Sequence, residues 1–420
     1  MTQNKMQNKM KYAAITGIGI ISCLGNDVDT VAASLKNGRS GIVYDEARKQ
    51  LGFRSPLTSL IRDFQPSDYG INRKTRRSMC EPALYSLAAA KDAVKDAGLS
   101  DDLLQNDRCG IIFGNDSTIK AGVEAIDIAR QYQETHYIGA GHIFRAMNST
   151  ITMNLAAYFK TRGANWTISA ACASGAHVIG QSLMMIRSGM QDIVLAGAAQ
   201  ETNWMSMASF DSLNAFSSNT DHPEKASRPF DRDRDGLVPG GGGACVIMED
   251  LDHAVSRGAD IYCVIAGYGF SSGVGKTLSE PNRNGSEKAI ANALKDAGIG
   301  PEKIDYINAH ATSTLIGDLA EAVAIHHVFG PHTPVSSTKS MTGHECWMSG
   351  ASEVIYTILM TRGGFIAPNI NFCALDAGCP PIHVIPETTE ADIRYAMSNS
   401  FGFGGTNAAV VMDFSHGKKG

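Results

Sequence analysis

No apolar run in this 420-residue chain approaches the roughly eighteen residues that a membrane-spanning helix needs. The first ten residues, MTQNKMQNKM, are polar and lack the apolar core of an export signal. Nine cysteines (Cys23, Cys80, Cys109, Cys172, Cys245, Cys263, Cys346, Cys373 and Cys379) include no Cys-x-x-Cys pair, and their number is odd. That speaks against a disulfide framework and a zinc ribbon, and for reduced thiols in the cytoplasm. The net charge of −5 provides no global field to draw the chain to nucleic acid or an anionic membrane, so an acidic partner needs a local basic patch. Also missing is a Pro/Ser-rich linker. With 43% hydrophobic and 19% charged residues, the chain reads as one large globular unit or two closely packed ones.

What the chain does contain is a second copy of its own pattern. Ile15-Thr-Gly-Ile-Gly19 recurs as Ile265-Ala-Gly-Tyr-Gly269, and Lys95-Asp-Ala-Gly98 recurs as Lys295-Asp-Ala-Gly298. Ser174-Gly-Ala176 recurs as Ser349-Gly-Ala351, and Gly241 to Glu249 as Gly405 to Asp413. Matches in the same order mark a duplication. Short β-branched runs alternate with longer helical patterns in both copies, which predicts an α/β fold of parallel sheets covered by helices. The expected division is a flexible tail at 1–11, a first half at 12–256, a second at 257–413 and a tail at 414–420.

Cys172 stands among small residues, Ser169-Ala-Ala-Cys-Ala-Ser-Gly175, ahead of a predicted helix. Unpaired N–H groups at a helix start favour thiolate, and small neighbours let a substrate approach. Read alone, the residue is either a nucleophile or a small buried hydrophobe. Two histidines follow predicted strands: His310 opens His310-Ala-Thr-Ser-Thr314, with Asp318 beyond it, and His344 closes Lys339-Ser-Met-Thr-Gly-His344, with Glu353 further on. A thiol, two imidazoles, a lysine and a glutamate are equipment for acyl transfer. Their spacing suits no zinc site. Met397-Ser-Asn-Ser-Phe-Gly-Phe-Gly-Gly-Thr-Asn407 is a glycine-rich turn without the full dinucleotide fingerprint. It could bring backbone N–H groups against a thioester, with Phe401 and Phe403 as apolar walls.

Together these segments resemble the signature blocks of the β-ketoacyl-acyl carrier protein synthases, condensing enzymes of the elongating Cys-His-His, type I/II-like group, from about Tyr12 to Met412. The resemblance implies a thiolase-like, five-layered αβαβα fold of two duplicated halves. It implies a decarboxylative Claisen condensation with Cys172 as acyl carrier, an oxyanion hole from the N–H groups of Cys172 and Phe403, and an enolate held by His310 and His344. Lys339 and Glu353 would order the second histidine, Thr312 and Thr314 would bind the phosphopantetheine arm, and Phe401 would gate the pocket. No cofactor of its own is expected, the phosphopantetheine arriving on the acyl carrier protein. In some relatives a monovalent cation lies beside residues matching Asn308, Glu353, Ser398 and Asn399. Arg73-Lys-Thr-Arg-Arg77 corresponds to the carrier-docking helix, with Arg73, Lys74 and Arg77 as contacts, and the expected assembly is a homodimer or a heterodimer with a chain-length-factor-like subunit.

The chain departs from that pattern at Ala311, where glycine is usual, and at Glu345-Cys-Trp-Met-Ser-Gly350, where a run of glycine and alanine is usual. Asn115 to Met147, which lines the acyl pocket and dimer interface in relatives, also differs. The implied setting is fatty-acid biosynthesis or specialised polyketide or polyene biosynthesis, and these departures favour the second. The alternatives are a ketosynthase/chain-length-factor subunit and a CoA-dependent thiolase-like acyltransferase.

Overall fold

The computed structural model describes residues 11–417. Its first half contributes strands β1 (Ala13–Ile21), β2 (Cys109–Gly114), β3 (Asn165–Ile168), β4 (Ile193–Gln200) and β5 (Gly242–Asp250). The second contributes β6 (Cys263–Ser272), β7 (Tyr306–Asn308), β8 (Pro334–Ser336), β9 (Tyr395–Gly402) and β10 (Thr406–Asp413). The helices that matter to the site are α1 (Glu81–Asp96), α2 (Lys120–Tyr132), α3 (Ser174–Arg187), α4 (Trp204–Asp211), α5 (Arg283–Ala297), α6 (Leu315–Phe329), α7 (Lys339–Thr342) and α8 (Ser349–Arg362).

The duplication is explicit in the strand order. The first half runs β3-β2-β4-β5-β1 and the second β8-β7-β9-β10-β6, so each strand has its counterpart five numbers on. The pairings also repeat: parallel, parallel, antiparallel, antiparallel from β3 and from β8 inward, with the short strand His383–Val384 added in parallel outside β8. At the seam β1 and β6 share three residue pairs, Ala13 with Ile265, Ala14 with Val264 and Ile15 with Cys263. Helix α1 covers β1 and β5 on one outside face, and α5 covers β6 and β10 on the other. Between the two halves of that sheet lie α3 and α8, each touching strands of both, which gives the thiolase-like αβαβα stack.

The repeated sequence blocks explain how those layers close. A Cβ on Gly19 would lie 2.0 Å from the Ala89 carbonyl oxygen, and one on Gly269 would lie 2.1 Å from that of Ala289. Glycine in the strand and alanine in the helix therefore let each outer helix sit directly on its sheet. In the middle layer, a Cβ on Gly350 would come within 2.2 Å of the Ala176 nitrogen, and one on Gly175 within 2.6 Å of the Ala351 nitrogen. The starts of α3 and α8 thus cross at backbone contact. Every residue of α8 from Ser349 to Met360 is buried, and each large apolar side chain there contributes about 1.5–3 kcal/mol of burial.

The helix Leu251–Ser256 closes the first half before β6 begins at Cys263. Of the expected N-terminal tail, residues 1–10 lie outside the described residues, while Lys11 pairs with Asp250 at 2.8 Å. At the other end, residues 418–420 lie outside them, and the Phe414 N–H donates to the Arg394 carbonyl at 2.9 Å. Among the described residues no helix is long and apolar enough to cross a membrane.

Candidate active site

Cys172 lies on the turn between β3 and α3, as its sequence context predicts. Ala171 before it has a φ of 46°, a left-handed backbone that an alanine adopts at a cost. The result is a sharp turn that sets the thiol at the foot of α3. Thr406 Oγ1 donates to the Ala170 carbonyl at 2.8 Å, which pins the glycine-rich hairpin of β9 and β10 against this turn. The backbone N–H groups of Phe403 and of Cys172 itself favour thiolate, as does the charge of Lys339. Burial outweighs all three and pushes the thiol up to about 11. The donors at the helix start and desolvation thus oppose each other at this thiol, since burial penalises the charged form.

His344 supplies the partner that such a thiol needs. Its Nε2 is 3.1 Å from Cys172 Sγ, and its Nδ1 is 3.3 Å from the Ser349 hydroxyl at the start of α8. The segment bearing it is more elaborate than a strand-to-helix turn: α7 and a tight turn at Cys346–Met348 lie between β8 and α8. His310 follows β7, and its ring centroid is 5.3 Å from that of His344, edge to face. Both imidazoles are pushed well below their ordinary value, by burial first and by Lys339 second. Two neutral rings beside one thiol offer N–H donors and a proton acceptor, with no cation to neutralise a carbanion.

Behind the rings Lys339 is paired with Glu353 in full burial. Burial raises the Glu353 carboxyl to about 8 even against that ammonium. Two further carboxyls share the lysine's field, Glu321 and Glu345, each raised by burial to about 7. The sequence reading missed Glu321 and noted Glu345 only as a departure from the family pattern. Glu321, on α6, accepts from the N–H groups of His310 (2.9 Å) and Ala311 (2.6 Å) and from Asn399 Nδ2 (3.0 Å). Asp318, which the sequence put forward, instead accepts the Phe230 N–H at 2.8 Å and faces Arg234. The two acids lie one turn apart on α6, and spacing alone does not tell which one faces the histidine turn. Glu345 accepts from Tyr356 OH (2.9 Å) and Ser352 Oγ (2.5 Å), which fastens the residue after His344 to α8.

These groups open on a cavity of ≈ 340 Å³ lined by Cys172, His310, His344, Thr312, Thr314, Phe401 and Phe403. The Thr312 and Thr314 hydroxyls are 3.1 Å apart, and the Phe401 ring centroid is 6.0 Å from that of His310. Met207, Phe210, Phe216 and Leu237 complete an apolar wall. The walls of the cavity come from α4, the segment after it, residues 278–282, the start of α6 and the β9–β10 hairpin. Arg73, Lys74 and Arg77 are exposed, outside the cavity. Their segment is a single tight turn, Thr75–Ser78, set off from α1 by extended Met79, rather than the first turn of a long helix.

Two family models match the chain: Beta-ketoacyl synthase, N-terminal domain, over residues 10–254, and Beta-ketoacyl synthase, C-terminal domain, over residues 262–373. The 3-oxoacyl-(acyl-carrier-protein) synthase 1 of Haemophilus influenzae is 42% identical over 406 residues, which is 96% of this chain and 98% of the relative. Among solved structures, a β-ketoacyl synthase from Burkholderia phymatum STM815 superposes with a TM-score of 0.91 at 34% identity, over 96% of this chain and 100% of that one. The ishigamide ketosynthase/chain length factor gives a TM-score of 0.89 at 32% identity, over 96% and 99%.

Proposed function

The chain belongs to the β-ketoacyl synthase family of thiolase-like acyltransferases, and from that premise we propose that it extends a carrier-bound acyl chain by decarboxylative condensation with malonyl-acyl carrier protein. The observation that carries this reading is the Cys172 thiol 3.1 Å from His344 Nε2, with His310 beside them in one cavity. The thiol attacks the acyl thioester while its proton passes through His344 to the departing carrier thiol. The acyl–sulfur bond to the carrier breaks as that to Cys172 forms. Malonyl thioester then loses carbon dioxide, and the electron pair of the broken C–C bond moves into an enolate. Neutral His310 and His344 serve as N–H donors to that enolate oxygen. The carbanion attacks the acyl-cysteine, the Cys172 and Phe403 N–H groups hold the oxyanion, and the C–S bond breaks to release Cys172 as thiolate, which takes up a proton from solvent to restore the thiol.

The substitutions Glu345, Cys346 and Trp347 support a specialised polyketide or polyene chain, as does the likeness to a ketosynthase/chain-length-factor structure. A second subunit has a seat on edge strand β3. That strand pairs on one side with β2 and carries Trp166, half exposed; Ile126, Tyr132 and Ile143 of the same half are exposed as well. The surroundings of Glu353 fit a monovalent cation. Asn308 and Ser398 are register partners on β7 and β9, and Glu353 Oε2, Ser398 Oγ and Asn399 Oδ1 are buried without hydrogen-bond partners. Bound there, the ion would supply positive charge against the buried carboxyls. The nine free thiols support a reducing, cytoplasmic setting.

Intact-mass measurement of the full chain with a panel of acyl carrier proteins tests the reading. A mass gain on Cys172 that malonyl-carrier protein discharges with release of carbon dioxide is the expected result. Discharge by acetyl-CoA without carbon dioxide would instead establish thiolase chemistry. Carrier docking makes its own prediction. Reversing Arg73 and Arg77 to glutamate raises KM for the carrier-bound substrate about tenfold at low salt and less at high salt, with kcat on a pantetheine-only thioester unchanged.

A further inference from the structure

Phe210 forms one wall of the cavity, and its ring is held from two sides. Phe403 stacks against it, with centroids 6.3 Å apart at 20°, and Trp347 stands 6.1 Å away at 49°. Trp347 is off the cavity surface and only 3% exposed, packed with Phe53, Met207, Phe216, Leu237 and Cys346. Helix α4, which carries Phe210, is itself clamped. Its last residue, Asp211, accepts the Arg54 and Ser55 N–H groups at 2.7 and 3.0 Å, and buried Arg48 donates to the Thr202 carbonyl at 3.0 Å just ahead of it. Phe210 is therefore braced by two rings on a helix that is itself held at both ends.

The local structure is expensive for what it gives the fold. The Trp347 indole N–H is buried without an acceptor, and Cys346 before it holds a left-handed φ of 49°. Both features destabilise. Local rules broken together beside a cavity mark a residue kept for the shape of that cavity.

We infer that Trp347 determines acyl specificity: by locking Phe210 against Phe403 it fixes a rigid aromatic wall that admits flat conjugated or aromatic acyl groups and refuses long saturated chains. This deepens the condensing reading and rests on it. A planar acyl group stacks on an aromatic face and has few rotors to freeze. A long saturated chain needs the wall to give way, and a packed core resists that.

The test is the rate at which hexa-2,4-dienoyl, benzoyl, hexanoyl and tetradecanoyl carriers acylate Cys172, read by intact mass in wild type, Trp347→Phe and Trp347→Ala. Wild type is expected to favour hexadienoyl over tetradecanoyl about tenfold or more, a discrimination within reach of an apolar pocket. Trp347→Ala removes that preference by gaining tetradecanoyl transfer, and Trp347→Phe retains part of it. Phe210→Leu, which keeps apolar volume without the ring, gives the same loss and serves should Trp347→Ala fail to fold. A hexadienoyl-to-tetradecanoyl ratio that is unchanged in both the alanine and leucine variants overturns the inference, as does a wild-type preference for tetradecanoyl. Failure of every chain to reach Cys172 in folded wild type overturns the condensing reading instead.

Discussion

Cys172→Ala stops acyl-enzyme formation and lowers condensation by about 10⁴-fold or more, while decarboxylation of malonyl-carrier protein continues. The two losses separate because the thiol forms the acyl bond, whereas the enolate is held by His310 and His344, which the substitution leaves in place. Intact mass reads the first and carbon-dioxide release the second. Wild-type Cys172 has a pH signature as well. Burial pushes the thiol up to about 11, so at neutral pH almost none of it is thiolate. Alkylation by iodoacetamide in the absence of substrate rises roughly tenfold per pH unit between pH 7 and 10. Enzymatic acylation, in contrast, stays level across that range, because the neutral His344 at 3.1 Å takes the proton during attack. It falls only when pH drops far enough to protonate histidines that burial already holds well below their ordinary value. A level alkylation profile would show that the resting thiol is already ionised.

Removing Lys339 has the second large effect, and it acts on stability and rate together. Lys339→Ala leaves Glu353 fully buried without its cation, and breaking such a pair costs about 3–5 kcal/mol. The same change withdraws the one influence of Lys339 that holds down all three carboxyls at positions 321, 345 and 353. Their folded-state values, already above the unfolded ones, move higher. A carboxyl that binds its proton more tightly in the folded state loses stability as pH rises from its unfolded value to its folded one. Urea unfolding of Lys339→Ala should therefore show its largest deficit near pH 8 and its smallest near pH 5. Pairing it with Glu353→Gln removes the stranded charge and restores much of the stability. Activity is not restored, because the field on the Cys172 thiol is still missing. Recovery of both in the double variant would assign Lys339 a purely structural role.

The proposed catalytic set was legible in the chain because each member sits beside a backbone feature with its own local signature. Cys172 precedes a small-residue helix start, His310 follows a β-branched strand, and Gly343-His344 ends a hydroxyl-rich turn. The duplication was legible for a similar reason. Gly19 and Gly269 must face alanines at matching positions of α1 and α5, so the two halves repeat the same small residues. Glu321 was not legible. One helical turn separates it from Asp318, and only the packing of α6 decides which acid reaches the His310 backbone. The Arg73–Arg77 cluster showed its charge but not its shape, since extended Met79 ends the short turn before α1 where the resemblance implied a docking helix.

The order of residues was enough to state the family, the two halves and the residues proposed for catalysis, because close approach and sharp turns demand particular residue types at particular places. The protonation state of Cys172, the sharing of Lys339 among three carboxyls and the Trp347–Phe210–Phe403 wall arose only on folding. Each depends on burial and on through-space neighbours from distant segments: desolvation moves a pKa and packing immobilises a ring, and neither is set by spacing along the chain.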